Sequence, residues 1–186
     1  MQIMSHGKTC ALATKAVSIY MLVAATTSVW CQQRQTVVIS TPATSTTYTQ
    51  QLAIEVGDVP NHQVRAYEVH RVYGGSDAPV IAGQRVKESW QRAMSDYIDL
   101  NGLNNSYVVY VMESGDRFFA RGHVLSESNP TTDGQMITKS YSMYDIWSGT
   151  GKFKNVRGTI KSETTSNIKA GINQTRSEVT VWWPTD

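Results

Sequence analysis

From Leu52 onward, apolar residues recur at every second position rather than every third or fourth. Leu52, Ile54 and Val56 alternate with polar residues until Gly57-Asp58-Val59-Pro60 ends the run. A period of two sends such residues to one face of a strand. Val64 to Tyr73 is a second long run, closed by Gly74-Gly75-Ser76-Asp77, which has turn composition. Tyr107-Val108-Val109-Tyr110-Val111-Met112 is β-branched and aromatic, Glu113-Ser114-Gly115-Asp116 is a tight turn, and Arg117 to Leu125 returns as the partner strand. A loop at Pro130-Thr131-Thr132-Asp133-Gly134 leads into one long strand, Met136 to Trp147. Gly149-Thr150-Gly151 turns the chain into a strand from Val156 to Thr164. Asn167 to Asn173 turns it again, and Arg176 to Trp183 closes it. Seven or eight strands are enough to close a small barrel. Gly158 falls where a strand interior belongs, which predicts a bulge, a bend or a close backbone approach.

One segment carries a different period. Val86, Trp90, Ala93, Met94 and Tyr97 fit a helical face, and Asn101-Gly102 would serve as its C-cap. Read as a strand, the segment would put Glu88, Trp90, Arg92, Met94, Asp96 and Ile98 on one face, mixing charge with apolar bulk. The helical template matches better, so one short helix within 86–101 is expected, with a strand as the alternative.

The first residues stand apart from the β pattern. Lys8 and Lys15 lie in a polar lead, Ala16 to Ala25 is an apolar core, and Val23-x-Ala25 offers a peptidase site. The core is far shorter than the about 20 residues a membrane-spanning helix needs. This reads as a signal peptide over 1–31, cleaved between Ala25 and about Cys31, and places the product outside the cell or in the periplasm. Trp30 stands where a lipidated cysteine is preceded by Gly or Ala, which argues against a lipid anchor at Cys31. Cys10 would leave with the signal, so the mature chain has no internal disulfide to form. Residues 32–49 are rich in Thr, Ser and Gln with few apolar anchors, and read as a flexible arm. Residues 50–186 form the expected domain, large enough to bury a core without a disulfide. With 17 Lys and Arg against 15 Asp and Glu, interspersed, the net charge is +2. No basic block offers a footprint for nucleic acid.

No catalytic or cofactor signature is present: no nucleophile elbow, P-loop, paired CxxC or H-x-x-x-H. His62, His70 and His123 lack metal-ligand spacing, so neither metal nor cofactor is expected. Glu68 and His70 share a strand face two residues apart, as an acid/base pair could. The catalytic set is otherwise unassigned. Aromatic residues are spread over almost every predicted strand, and such a set either fills a barrel or lines a cavity with polar handles. Tyr110 and Met112 share one strand face, and Tyr144 lies on the strand expected to follow in the meander. These three are the candidate ligand-binding residues, at one end of an interior cavity.

Two motifs carry a family resemblance. Tyr110-Val111-Met112-Glu113-Ser114-Gly115-Asp116-Arg117 is a strand–acidic-Gly-Asp–strand hairpin, and Gly149-Thr150-Gly151-x-Phe153 continues to Gly158. Together they make the stretch from Tyr107 to Ile160 resemble bacterial members of the allene oxide cyclase-like barrel superfamily. Dirigent proteins, which are secreted, share the second motif. The resemblance implies a small closed antiparallel β-barrel of about eight strands, all-β in class, often a homo-oligomer, with an apolar cavity. Known members steer reactive intermediates by shape and water exclusion. The expected partner is therefore a small apolar or aromatic molecule held in the interior. An enzyme steering a cyclisation or coupling is the alternative, and a structural surface protein with a filled barrel the third reading.

Overall fold

The computed structural model describes residues 33–167 and 170–185; the signal peptide read over 1–31 lies outside them. Ten strands follow in chain order: β1 (Gln35–Thr41), β2 (Thr46–Glu55), β3 (His62–Val72), β4 (Val80–Ile81), β5 (Gln84–Ile98), β6 (Asn101–Met112), β7 (Arg117–Pro130), β8 (Met136–Gly149), β9 (Arg157–Asn167) and β10 (Ile172–Trp182). They form one antiparallel sheet, ordered β1-β10-β9-β8-β7-β6-β5-β3-β2, with the short β4 paired to the start of β5. Neighbours in the sheet are mostly neighbours in the chain, as expected of hairpin-linked strands. The all-β class and the positions of the strands read from the alternation are as the sequence indicates.

Three expectations are corrected. The segment 86–101 is strand apart from the Asp99-Leu100 turn between β5 and β6, and the described residues contain no α-helix. Along β5, Val86, Ser89, Gln91, Ala93 and Ser95 are buried, while Arg92, Met94 and Asp96 are exposed. Polar residues on the buried side disguise the period of two, and a bulge between Val86 and Glu88 shifts its phase. The Thr/Ser-rich stretch is also ordered in part: Gln35–Thr41 is β1, paired residue for residue with β10 from Gln35↔Val181 to Thr41↔Thr175.

The third correction concerns closure. The sheet has ten strands and does not close into a barrel: β1 and β2 are its two edges, each bonded on one side only. The chain leaves β1 through Pro42, which has no N–H to give, and a single 3-10 turn, Ala43–Ser45. That makes a corner rather than a hairpin, so β2 lies on β3 and not on β1.

The sheet is nonetheless rolled. In a flat sheet, six spacings of about 4.8 Å would hold β1 and β5 roughly 29 Å apart. Instead the Ala82 N–H, just before β5, donates to Gln35 Oε1 of β1 at 2.8 Å. Gln91 of β5 likewise reaches Tyr144 of β8, three strands away, at 3.2 Å. Rolling gives the sheet a concave face with two unlike ends. At one end Ile39, Ile81, Val86, Met112, Phe118, Ile146, Ile160, Val179 and Val181 form a continuous apolar core. Full burial of each such side chain contributes about 1.5–3 kcal/mol.

The Gly-Thr-Gly turn plugs that end. Gly151 sits at φ +53°, a backbone conformation that favours glycine, and a Cβ there would meet Asp116 Oδ1 at 1.8 Å. Asp116 accepts from the Lys152 N–H at 3.2 Å and from Gln84 Nε2 at 3.0 Å. The turn so anchored drives Phe153 into the core, tilted against Phe118 at 5.4 Å and Trp183 at 6.1 Å between ring centres. Gly158 shows the close approach that its strand position predicts, since a Cβ there would lie 2.1 Å from the Thr180 carbonyl oxygen.

The concave cleft and its hydroxyl rows

At the other end the concave face is polar, and the strand register explains its layout. Residues paired directly across antiparallel strands share a face. Ser126, Ser140, Thr164, Thr175 and Thr41 fall in one such row across β7, β8, β9, β10 and β1. Ser142, Ser162 and Ser177 fall in the next. Their hydroxyls bond along the rows: Ser126 to Ser140 at 2.8 Å, Ser162 to Ser177 at 2.9 Å, Thr164 to Thr175 at 2.9 Å. Tyr97 reaches into the first row, its hydroxyl 2.9 Å from Ser126 Oγ.

Between this hydroxyl end and the apolar end lies a cleft of about 130 Å³. Cavities of roughly 150 Å³ hold a benzene ring, so the space suits a single-ring molecule. Six tyrosines face it: Tyr48, Tyr67, Tyr73, Tyr97, Tyr110 and Tyr144. Tyr144 lies under Gln91 and Ser106: the Gln91 amide donates to its hydroxyl at 3.2 Å, and Ser106 Oγ lies 3.1 Å from the same hydroxyl. Gly122, its cross-strand partner on β7, allows this approach, because a Cβ there would sit 2.7 Å from the Tyr144 Cα. Burial raises the Tyr67, Tyr110 and Tyr144 phenols above the usual tyrosine range. All three are therefore protonated at neutral pH and serve as hydrogen-bonding groups, not as phenolate bases.

Among the described residues, the charged side chains lining the cleft are Arg65 and Arg71, both from β3. Neither makes an ion pair among the described residues. Arg65 donates to Gln51 Oε1 at 2.5 Å and lies over the Tyr67 ring at 5.5 Å. Arg71 donates from Nη1 to Gln91 Oε1 at 3.1 Å, and its Nε is buried without a partner.

The three sequence-derived candidates separate. Tyr110 and Tyr144 line the cleft. Met112, two residues further along β6, is fully buried in the apolar core beyond it. Tyr110 marks the boundary, stacked on Phe118 at 4.7 Å on its core side and parallel to Tyr73 at 6.5 Å. Glu68 and His70 alternate with the cleft-lining Tyr67, Val69 and Arg71 and so face the opposite side of β3. There they pair with other residues: His70 with Glu88 at 3.0 Å and Glu68 with Arg92 at 2.8 Å. His70 also stacks on Trp90 at 3.9 Å. His123 is exposed. Among the described residues no three His, Cys, Asp or Glu side chains gather as a metal site would require. No helix among them is long and apolar enough to cross a membrane.

Sequence reasoning missed the arginines and the hydroxyl rows. A signal for the first existed, since Arg65, Tyr67, Val69, Arg71 and Tyr73 occupy alternate positions and so one face. The serines and threonines also alternate, but such a pattern reads equally well as a solvent face.

The fold and the cleft define an all-β protein with a lined interior space. Searches against family models, curated proteins and solved structures return no match to this chain.

Proposed function

We propose that this is an exported protein whose concave cleft binds one small aromatic molecule. The observation that carries the reading is the lining itself: six tyrosines and rows of hydroxyls around a cleft of about 130 Å³. Tyrosine rings offer stacking and edge contacts to another ring, while hydroxyls and amides orient its polar substituents. A purely apolar guest would leave the hydroxyl end without exchange for its water, so a ring bearing polar groups is the better fit. The resemblance to the allene oxide cyclase-like barrels agrees with an interior ligand. The described cleft residues include no carboxylate and no histidine, so a cyclase-like reaction there would rest on shape and water exclusion alone. A structural protein with a filled interior does not account for the space.

Native mass spectrometry of the protein purified from its own host tests both halves of the proposal. The expected spectrum shows a chain beginning between Ala25 and about Cys31, carrying one small molecule that is lost on denaturation. A chain of full length would refute export. A ligand-free chain that also takes up no small aromatic compound at millimolar concentration would refute the binding reading.

A further inference from the structure

Arg71 is a guanidinium in the wall of a cleft whose described lining holds no carboxylate to answer it. Arginines withdrawn from bulk water are ordinarily paired, because a desolvated charge without a counter-charge is costly. Of its donors, Nη1 is engaged by the neutral Gln91 amide oxygen at 3.1 Å, while the buried Nε–H meets no acceptor among the described residues. Its cross-strand neighbour on β2, Thr46, also holds a buried hydroxyl without a partner. On the other side its β5 neighbour is Ser89, whose Oγ lies 3.3 Å from the Tyr73 hydroxyl. The three residues form one row across β2, β3 and β5 and so share a face, and Arg71 and Ser89 line the cleft. The positive charge of Arg71 is also felt at the Tyr110 and Tyr144 phenols, where it opposes the larger effect of burial.

We propose that the row Thr46–Arg71–Ser89 is an anion-binding subsite, and that the molecule held in the cleft carries a carboxylate which Arg71 receives. The inference rests on the ligand-binding reading above and narrows it to aromatic acids. A carboxylate is planar and can accept from the Nε–H and the adjacent Nη2–H together, the fork geometry that makes arginine selective for such groups. Thr46 would donate its hydroxyl to the same anion. The ring would then extend from Arg71 past Tyr110 toward Tyr144 and Gln91.

The test compares 4-hydroxybenzoate with 4-hydroxybenzamide, an acid and its near-isosteric neutral amide, by titration of the wild-type protein and of Arg71→Gln. A charge-assisted hydrogen bond predicts that the acid binds the wild type about ten- to a hundred-fold more tightly than the amide. Arg71→Gln should erase that preference by weakening the acid far more than the amide, and Arg71→Lys should restore part of it. Equal binding of acid and amide to the wild type would overturn the subsite and leave the aromatic-ligand reading standing. Binding of neither would overturn both. A preference for the acid that survives Arg71→Gln would overturn the assignment to Arg71. Should Arg71→Gln fail to fold, the side-chain Nε–H resonance of Arg71 in the wild type decides: it should move downfield with the acid and not with the amide, and an unmoved resonance under saturating acid would refute the proposal.

Discussion

The rolled sheet depends on β9 and β10 approaching closely at Gly158, and a single methyl group measures that dependence. In Gly158→Ala the new Cβ would lie 2.1 Å from the Thr180 carbonyl oxygen and 2.9 Å from Ile146 Cδ1. The isoleucine end can turn away. The carbonyl cannot, because β10 is bonded to β9 on one side and to β1 on the other. The contact falls about 0.9 Å short of the 3.0 Å that real Cβ contacts respect, so one strand must shift against its neighbours. Overpacking of this kind costs about 1–3 kcal/mol, and a rigid backbone oxygen belongs at the top of that range. Replacing Gly by Ala returns about 0.4–1 kcal/mol through the unfolded chain. The net loss is about 2 kcal/mol, which for a domain of this size lowers Tm by about 4–8 °C. Gly74→Ala is the matched control. Gly74 has an extended backbone, φ −130°, and a Cβ there meets nothing within 4 Å. Its Tm should hold or rise slightly. Thermal melts of both variants that coincide with wild type would refute the close crossing at Gly158, and with it the curvature that forms the cleft.

Two further outcomes follow from the hydrogen bonds. Tyr144→Phe removes a hydroxyl bonded to Gln91 and Ser106 and should cost about 1–2 kcal/mol in urea unfolding, while Gln91 Nε2 keeps its 3.3 Å contact with Ser106 Oγ; an unchanged midpoint would contradict a buried network there. His62 places Nδ1 2.6 Å from Asp58 Oδ1 and Nε2 2.7 Å from Asp96 Oδ1, and these bonds, Asp96 first, raise its pKa. A raised folded-state pKa stabilises fully below the unfolded value of about 6.5, and the benefit is lost as pH rises through the folded value. The urea midpoint of wild type should therefore exceed that of His62→Gln most at pH 5.5, the gap narrowing by pH 9; a gap that does not change with pH would refute the ion pairs.

The fold class was legible because strands with one buried apolar face advertise a period of two. Tyr107 to Met112, Arg117 to Leu125 and Met136 to Trp147 could be placed from residues alone, and Gly158 pointed to a bulge, a bend or a close approach, of which the structure shows the close approach. The site was legible only in part. Tyr110 and Tyr144 alternate into the interior as read, but Met112 obeys the same alternation and lies beyond the cleft, because periodicity gives the face of a strand and not the depth along it. In β5 the alternation was present yet hidden, since its buried side carries Ser89, Gln91 and Ser95 where a core usually carries apolar residues. Whether the sheet closes was decided at the Pro42 corner, by which strand β2 chose as its partner. That choice, and the gathering of Thr46, Arg71 and Ser89 into one row, depend on register between segments distant in the chain. Local sequence sets which way a side chain points. Only the pairing of whole strands, driven by burial of the shared apolar end, decides which side chains meet.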